Sequence, residues 1–129
     1  MSEKFFVEII TPDKIMFKSE AAEVTIPSYE GQIGILKDHI PLITFLRPGF
    51  IIIKNTEEKR FYLEEGTVEF SNNNLLILTS TAKDLKDFDK ALVKNLLQEA
   101  EKKLSDKNSS DKEKYIISHK IDTLKEISL

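Results

Sequence analysis

The chain has no cysteine among its 129 residues. Disulfides, thiolate metal sites and a thiol nucleophile are therefore excluded. Long apolar runs are missing too. Runs such as Phe50–Ile53 are strand length, far short of the ~18 residues that span a bilayer. The opening Met1-Ser2-Glu3-Lys4 has neither a secretory hydrophobic region nor an Arg-rich transit character. The expectation is a cytoplasmic protein that works at a membrane only through other proteins. Arginine is confined to Arg47 and Arg60, and the net charge is −3, so the basic face of a nucleic-acid module is not there.

Catalytic constellations are equally absent. There is no Gly-x-Ser-x-Gly elbow, no P-loop, no Gly-x-Gly-x-x-Gly and no His-Glu-x-x-His helix. Gly31-Gln32-Ile33-Gly34 is too sparse for a phosphate cradle and reads as a strand-edge bend. Glu57-Glu58 and Glu64-Glu65 are adjacent pairs, and neighbouring side chains of a strand point to opposite faces. They read as solvated hairpin charges. His39 reads as a turn histidine bonded to local backbone, with a surface contact as its functional alternative; His119 reads as a solvated helix residue. The expectation is no catalytic residue, no bound metal and no cofactor.

What is present falls into two parts. Residues 1–84 carry 9 basic and 13 acidic side chains, and residues 85–129 carry 10 and 9. From Phe5 to Thr81 the pattern is short and β-like. Phe5, Val7 and Ile9 alternate with Phe6, Glu8 and Ile10. Phe50–Ile53 and Leu75–Leu78 are continuous apolar runs, as for strands covered on both faces. Turn chemistry separates them. Thr11-Pro12-Asp13-Lys14 is one turn, and Arg47-Pro48-Gly49-Phe50 has the Pro-Gly order of a type II turn. Asn55–Glu58 and Ser71–Asn74 are polar hairpin tips.

After Lys83 the period lengthens. Leu85, Phe88, Leu92, Leu96, Ala100 and Leu104 form one helical stripe, widened by Val93 and Leu97, with Asp84 or Asp87 as its cap. Residues 106–109 break the pattern. Ser110 and Glu113 have capping-box spacing. Ile117, Ile121, Leu124 and either Ile127 or Ser128 form a second stripe. The helix lysines alternate with acids, Glu99 with Lys103 for example, and read as a salt-bridge-laced solvated face. The predicted class is α+β: an N-terminal antiparallel β-sandwich, residues 1–84, then an antiparallel two-helix hairpin, residues 85–129, joined at 81–86. Two functional alternatives stand beside an assembly role. One is a β-sandwich hydrolase, which needs two carboxylates roughly 5–10 Å apart across a cleft. The other is an unrelated adaptor or ligand-binding module.

The stretch Glu30-Gly31-Gln32-Ile33-Gly34-Ile35-Leu36-Lys37-Asp38-His39-Ile40-Pro41-Leu42 resembles the signature of the ATP synthase epsilon-subunit family, Glu-Gly-x-x-Gly-Ile, a short spacer, then His-x-Pro-Leu. Arg47-Pro48-Gly49, the glycine-led Gly66-Thr67-Val68-Glu69-Phe70 and the early Met16-Phe17 are similar to further family positions. The resemblance implies a non-catalytic subunit of the proton-translocating synthase. It would sit peripherally on the cytoplasmic face of the bacterial inner membrane. Its sandwich would bind the gamma shaft subunit and the loops of the membrane ring, through Glu30, Gln32, His39 and Pro41. Gln32 stands where relatives often hold an acid. The hairpin would lie folded, or extend to the catalytic head of alpha and beta subunits and block ATP hydrolysis. Some relatives hold ATP through Ile/Leu-Asp-x-x-Arg-Ala in the first helix. The corresponding residues here are Phe88, Asp89, Lys90, Ala91, Leu92 and Val93, so the aspartate is kept and the arginine is lost. The expectation is weak ATP binding or none.

Overall fold

The structure, a computed structural model, describes residues 3–127. Ten strands come first: β1 (Phe5–Ile10), β2 (Ile15–Ala21), β3 (Glu23–Ser28), β4 (Gly31–Leu36), β5 (Leu42–Leu46), β6 (Gly49–Lys54), β7 (Glu58–Leu63), β8 (Gly66–Ser71), β9 (Asn74–Leu78) and β10 (Lys83–Asp84). Two helices follow, α1 (Lys90–Leu104) and α2 (Asp111–Lys125). Pairing runs β10-β7-β6-β3-β5-β8-β9-β1-β2, with β4 added to β3. All these pairings are antiparallel except β1 with β9. The sheet folds over where β3 meets β5 at the single pair Ser28–Leu46. The result is a sandwich with β10, β7, β6, β3 and β4 in one layer and β5, β8, β9, β1 and β2 in the other.

Alternation decides what lies between the layers. Phe5, Val7 and Ile9 of β1 are buried, and so are Val68 and Phe70 of β8 and Leu75 and Ile77 of β9. They meet Val24, Ile26, Ile51, Ile53, Phe61 and Leu63 of the opposite layer in one core. Edge-on aromatic pairs join it, Phe5 with Phe70 at 5.6 Å and Phe17 with Phe61 at 5.3 Å between centroids.

The two continuous apolar runs behave differently. In β6, Ile51 and Ile53 enter the core, while Phe50 and Ile52 face a second cluster beneath the helices, as a strand covered on both sides requires. In β9, Leu76 is only half-buried and Leu78 is exposed. That strand is covered on one face alone, because the helices lie over the other layer. The Pro48-Gly49 expectation also needs correction. β5 and β6 are not partners, and Gly49 does not have a positive φ. Its lack of a side chain serves a close approach instead, since a Cβ there would lie 2.5 Å from Pro27 Cβ. The tip of β8–β9 is a two-residue turn with Asn72 and Asn73 at φ 50° and 59°, the left-handed pair that matches strand twist.

The hairpin begins later than its stripe suggests. Lys83 and Asp84 pair with Tyr62 and Phe61, so the backbone there is extended. Asp84 caps a 3-10 turn over Leu85–Asp87, and the cap of α1 is Asp89, whose carboxylate accepts from the Leu92 N–H at 2.7 Å. Asp87 caps nothing. The capping box of Ser110 and Glu113 opens α2 as its spacing predicts. Leu124 and Ile127 are buried against Phe50, Tyr62, Phe88 and α1, and Ile121 of the same stripe is buried as well. Ser128, the alternative end of that stripe, lies outside the described residues.

Candidate protein-docking surface

The outward face of the second layer is where the fold and a soluble existence conflict. Cross-strand register puts Ile43 of β5, Glu69 of β8, Leu76 of β9, Glu8 of β1 and Lys18 of β2 in one row. The next row reads Phe45, Thr67, Leu78, Ile10 and Ile15. Ile43 is 78% exposed, Phe45 63% and Ile15 55%. An antiparallel sheet with one wet face normally alternates polar-out. A contiguous apolar band on that face marks an interaction site. The sequence reading missed this band. The available signal was Ile43-Thr44-Phe45, an alternation whose outward members are the large ones.

The four residues singled out from the sequence separate into two pairs. Glu30 and Gln32 are exposed at the β3–β4 turn. His39 and Pro41 lie in the β4–β5 loop, at the far end of β4. Gln32 is the second residue of β4, and the four strand residues after it, Ile33 to Leu36, separate the pairs, so the fold does not bring all four together.

The β4–β5 loop is pinned. Asp38 adopts φ 66° and donates its N–H to Asn73 Oδ1 at 2.7 Å, while Asn73 Nδ2 donates to Asp38 Oδ1 at 2.9 Å. His39 Nδ1 bonds to the Ile40 carbonyl at 2.7 Å, and its ring stands edge-on to Phe70. The local-backbone role read for His39 is therefore present. Ile40 and Leu36 project into water beside it. At the opposite end, Tyr29 stacks on Tyr115 of α2 at 6.1 Å.

The helices dock on the other layer. Lys120 Nζ lies 3.1 Å from Glu64 Oε2, the oxygen that accepts the Tyr62 hydroxyl at 2.8 Å. Burial and the Glu64 charge hold the Tyr62 hydroxyl far above its ordinary pKa, so it stays a donor. His119 is not simply solvated. It is half-buried, packs edge-on to Tyr115 at 4.5 Å, and has its pKa lowered by burial first and by Arg47 second, against Asp122. Glu99 and Lys103 do not form the expected ion pair. Among the described residues, the ion pairs involving the C-terminal part join it to the strands instead, through Lys120–Glu64 and Lys86–Asp84.

No acid, histidine or cysteine cluster suited to a metal occurs among the described residues, and no described helix is long and apolar enough to cross a membrane. A surface cavity of about 600 Å³ beside β7 is lined by Lys59, Arg60 and Lys86. Asp84 and Glu58 already pair with those cations. Asp89, the aspartate kept from the nucleotide motif, is occupied as a helix cap, and Leu92 packs toward the second cluster.

A two-layer sandwich carrying an antiparallel helical hairpin defines the class of protein. The family model described as ATP synthase, Delta/Epsilon chain, beta-sandwich domain, matches residues 4–84. The ATP synthase epsilon chain of Pelagibacter ubique (strain HTCC1062) is 45% identical over 130 aligned positions, covering 99% of this chain and all of that one. The epsilon chain of Parvibaculum lavamentivorans is 30% identical, covering 98% and 97%. A chain in the cryo-EM structure of the Euglena gracilis mitochondrial ATP synthase (OSCP/F1/c-ring, rotational state 1) superposes with TM-score 0.78 at 19% identity, over 95% of this chain and 79% of that one. One from the Tetrahymena thermophila mitochondrial ATP synthase central stalk/c-ring gives 0.67 at 18% identity, over 98% of both. This chain belongs to the ATP synthase epsilon-chain family and is a subunit of that enzyme complex.

Proposed function

We propose that the chain is a non-catalytic central-stalk subunit that couples rotation of the membrane ring to the catalytic head. The observation that carries this reading is the outward apolar face of β5, β8, β9 and β1, which a partner must cover. Its occupant is the gamma shaft. The loop pairs Glu30–Gln32 and His39–Pro41, at the two ends of β4, extend the contact to the shaft and the ring. The similarity to chains from structures described as F1/c-ring and central stalk assemblies supports this placement. The protein sits peripherally on the cytoplasmic face of the bacterial inner membrane. Its hairpin, when released from the sandwich, reaches the alpha and beta subunits and inhibits ATP hydrolysis. With Leu92 at the arginine position of the motif, ATP binds weakly or not at all.

Co-purification with the shaft subunit, then ATPase assay of the assembled head with and without this chain, tests the reading. Stoichiometric binding and lower hydrolysis with the chain present are expected. Loss of shaft binding overturns the coupling role, and unchanged hydrolysis overturns the inhibitory one. Phosphate release by the chain alone, persisting through purification, would show that it is catalytic after all.

A further inference from the structure

We infer that Glu69 selects the partner of the outward face by receiving a lysine or arginine side chain from it. The inference rests on the proposed docking of the shaft to that face. Glu69 occupies the middle of β8, directly between Ile43 on β5 and Leu76 on β9. Its diagonal neighbours on the same face are Phe45 and Leu78, beside Thr67. Four apolar side chains thus flank the carboxylate on either side and toward one end of the strand, while Ser71 and Asn74 share the face toward the other. Among the described residues, no basic nitrogen lies within 4.0 Å of it. Glu8, the other acid in the row, has Lys18 opposite it on β2, although the two are not within ion-pair distance.

In the free chain water solvates Glu69 and the arrangement is harmless. Once a partner covers Ile43, Phe45, Leu76 and Leu78, that water is gone. A carboxylate buried without a counter-charge opposes binding strongly enough to cancel much of the surrounding apolar contact. The face therefore fits a surface with one cation set among apolar groups, and a guanidinium gives it two parallel hydrogen bonds. It rejects a wholly apolar surface. It also disfavours a second copy of this chain docked face to face, since a two-fold pairing presents the same Glu69 and Glu8 to themselves. A charge that repels wrong partners answers a practical need of so apolar a face while the chain is unassembled.

Calorimetric titration of the full chain with purified gamma subunit, at low and high salt, tests this. Glu69→Gln keeps shape and removes charge, Glu69→Lys reverses it, and Glu57→Gln at the β6–β7 tip serves as a control. Melting curves first confirm that all three fold. Glu69→Gln is expected to weaken binding by about tenfold or more and to flatten its salt dependence. Glu69→Lys is expected to cost about a hundredfold or more, and a shaft with its facing cation changed to glutamate recovers that loss. Glu57→Gln binds as the unmodified chain does. Glu69→Gln binding within about twofold of the unmodified chain, with the same salt slope, overturns the inference and leaves shaft docking intact. An unmodified chain that binds no gamma overturns both.

Discussion

Lys120 of α2 and Glu64 of the β7–β8 turn form the ionic bond that ties the hairpin to the sandwich, at 3.1 Å and with side chains only 18% and 32% exposed. That burial separates the pair from an ordinary screened surface bridge. Lys120→Met, which keeps the apolar stem, is expected to weaken docking by about 1 kcal/mol. Amide exchange along α2 should then quicken roughly fivefold, while exchange in the β1–β9 core stays as it was. Equal exchange in both proteins would mean that apolar packing alone holds the helix.

The docking is also expected to respond to acid through His119. Burial and Arg47 hold the folded-state pKa below the ordinary 6.5. A released hairpin therefore takes up the proton first, and the undocked state gains as pH falls below that value. The effect grows until the pH passes the folded-state pKa and then levels. Above the ordinary value both forms are neutral and His119 contributes no slope. Comparing α2 exchange protection across this range with that of His119→Gln checks it. An identical pH slope in the variant would assign the effect to another group.

Asp38 and Asn73 exchange two hydrogen bonds across 35 residues of sequence, both from left-handed backbone. Asn73→Gly keeps that backbone accessible and deletes both bonds. Amides of Asp38 and His39 should exchange about tenfold faster, with little change in overall melting. Asn73→Ala should melt lower than Asn73→Gly, because alanine at positive φ costs roughly 1 kcal/mol more. Slow exchange at Asp38 in the glycine variant would refute the clamp.

Cutting after Asp84 removes every helix and leaves the main core untouched, since all of its buried members precede that residue. The truncated chain is expected to melt cooperatively with a β-type circular dichroism spectrum and to keep shaft binding. Its midpoint should fall, because Phe50 and Tyr62 lose their cover of Phe88, Leu124 and Ile127. Burial of side chains this size is worth about 1.5–3 kcal/mol each. A fragment without a transition would show that the hairpin is part of the folding unit.

Much of the fold was legible because its signals are local. Alternation in Phe5–Ile10 and the capping box at Ser110 each depend on residues a few positions apart, and both appear as read. The signature around Gly31–Leu42 carried the family, which the sequence comparisons show independently. Apart from the Glu99–Lys103 pair, four residues apart on α1, the misread features depend on pairing between distant segments. Asp84 lost its place at the head of the helix to a ladder with Phe61. Gly49 proved to be answering Pro27 rather than a turn. Leu75–Leu78 looked covered on both sides, but four consecutive apolar residues say nothing about which layer the helices will choose.

The elements, the division between period two and period 3.6, and the absence of cysteine chemistry follow from the order of residues alone, because composition and spacing along one strand or helix suffice for these. Which apolar faces stay bare is set by the packing of distant segments. Ile43, Leu76 and Glu69 become neighbours through the β5–β8–β9 register, and Lys120 meets Glu64 only once α2 folds back onto the sheet. Burial and cross-strand contact are properties of pairs, and no single segment encodes its partner.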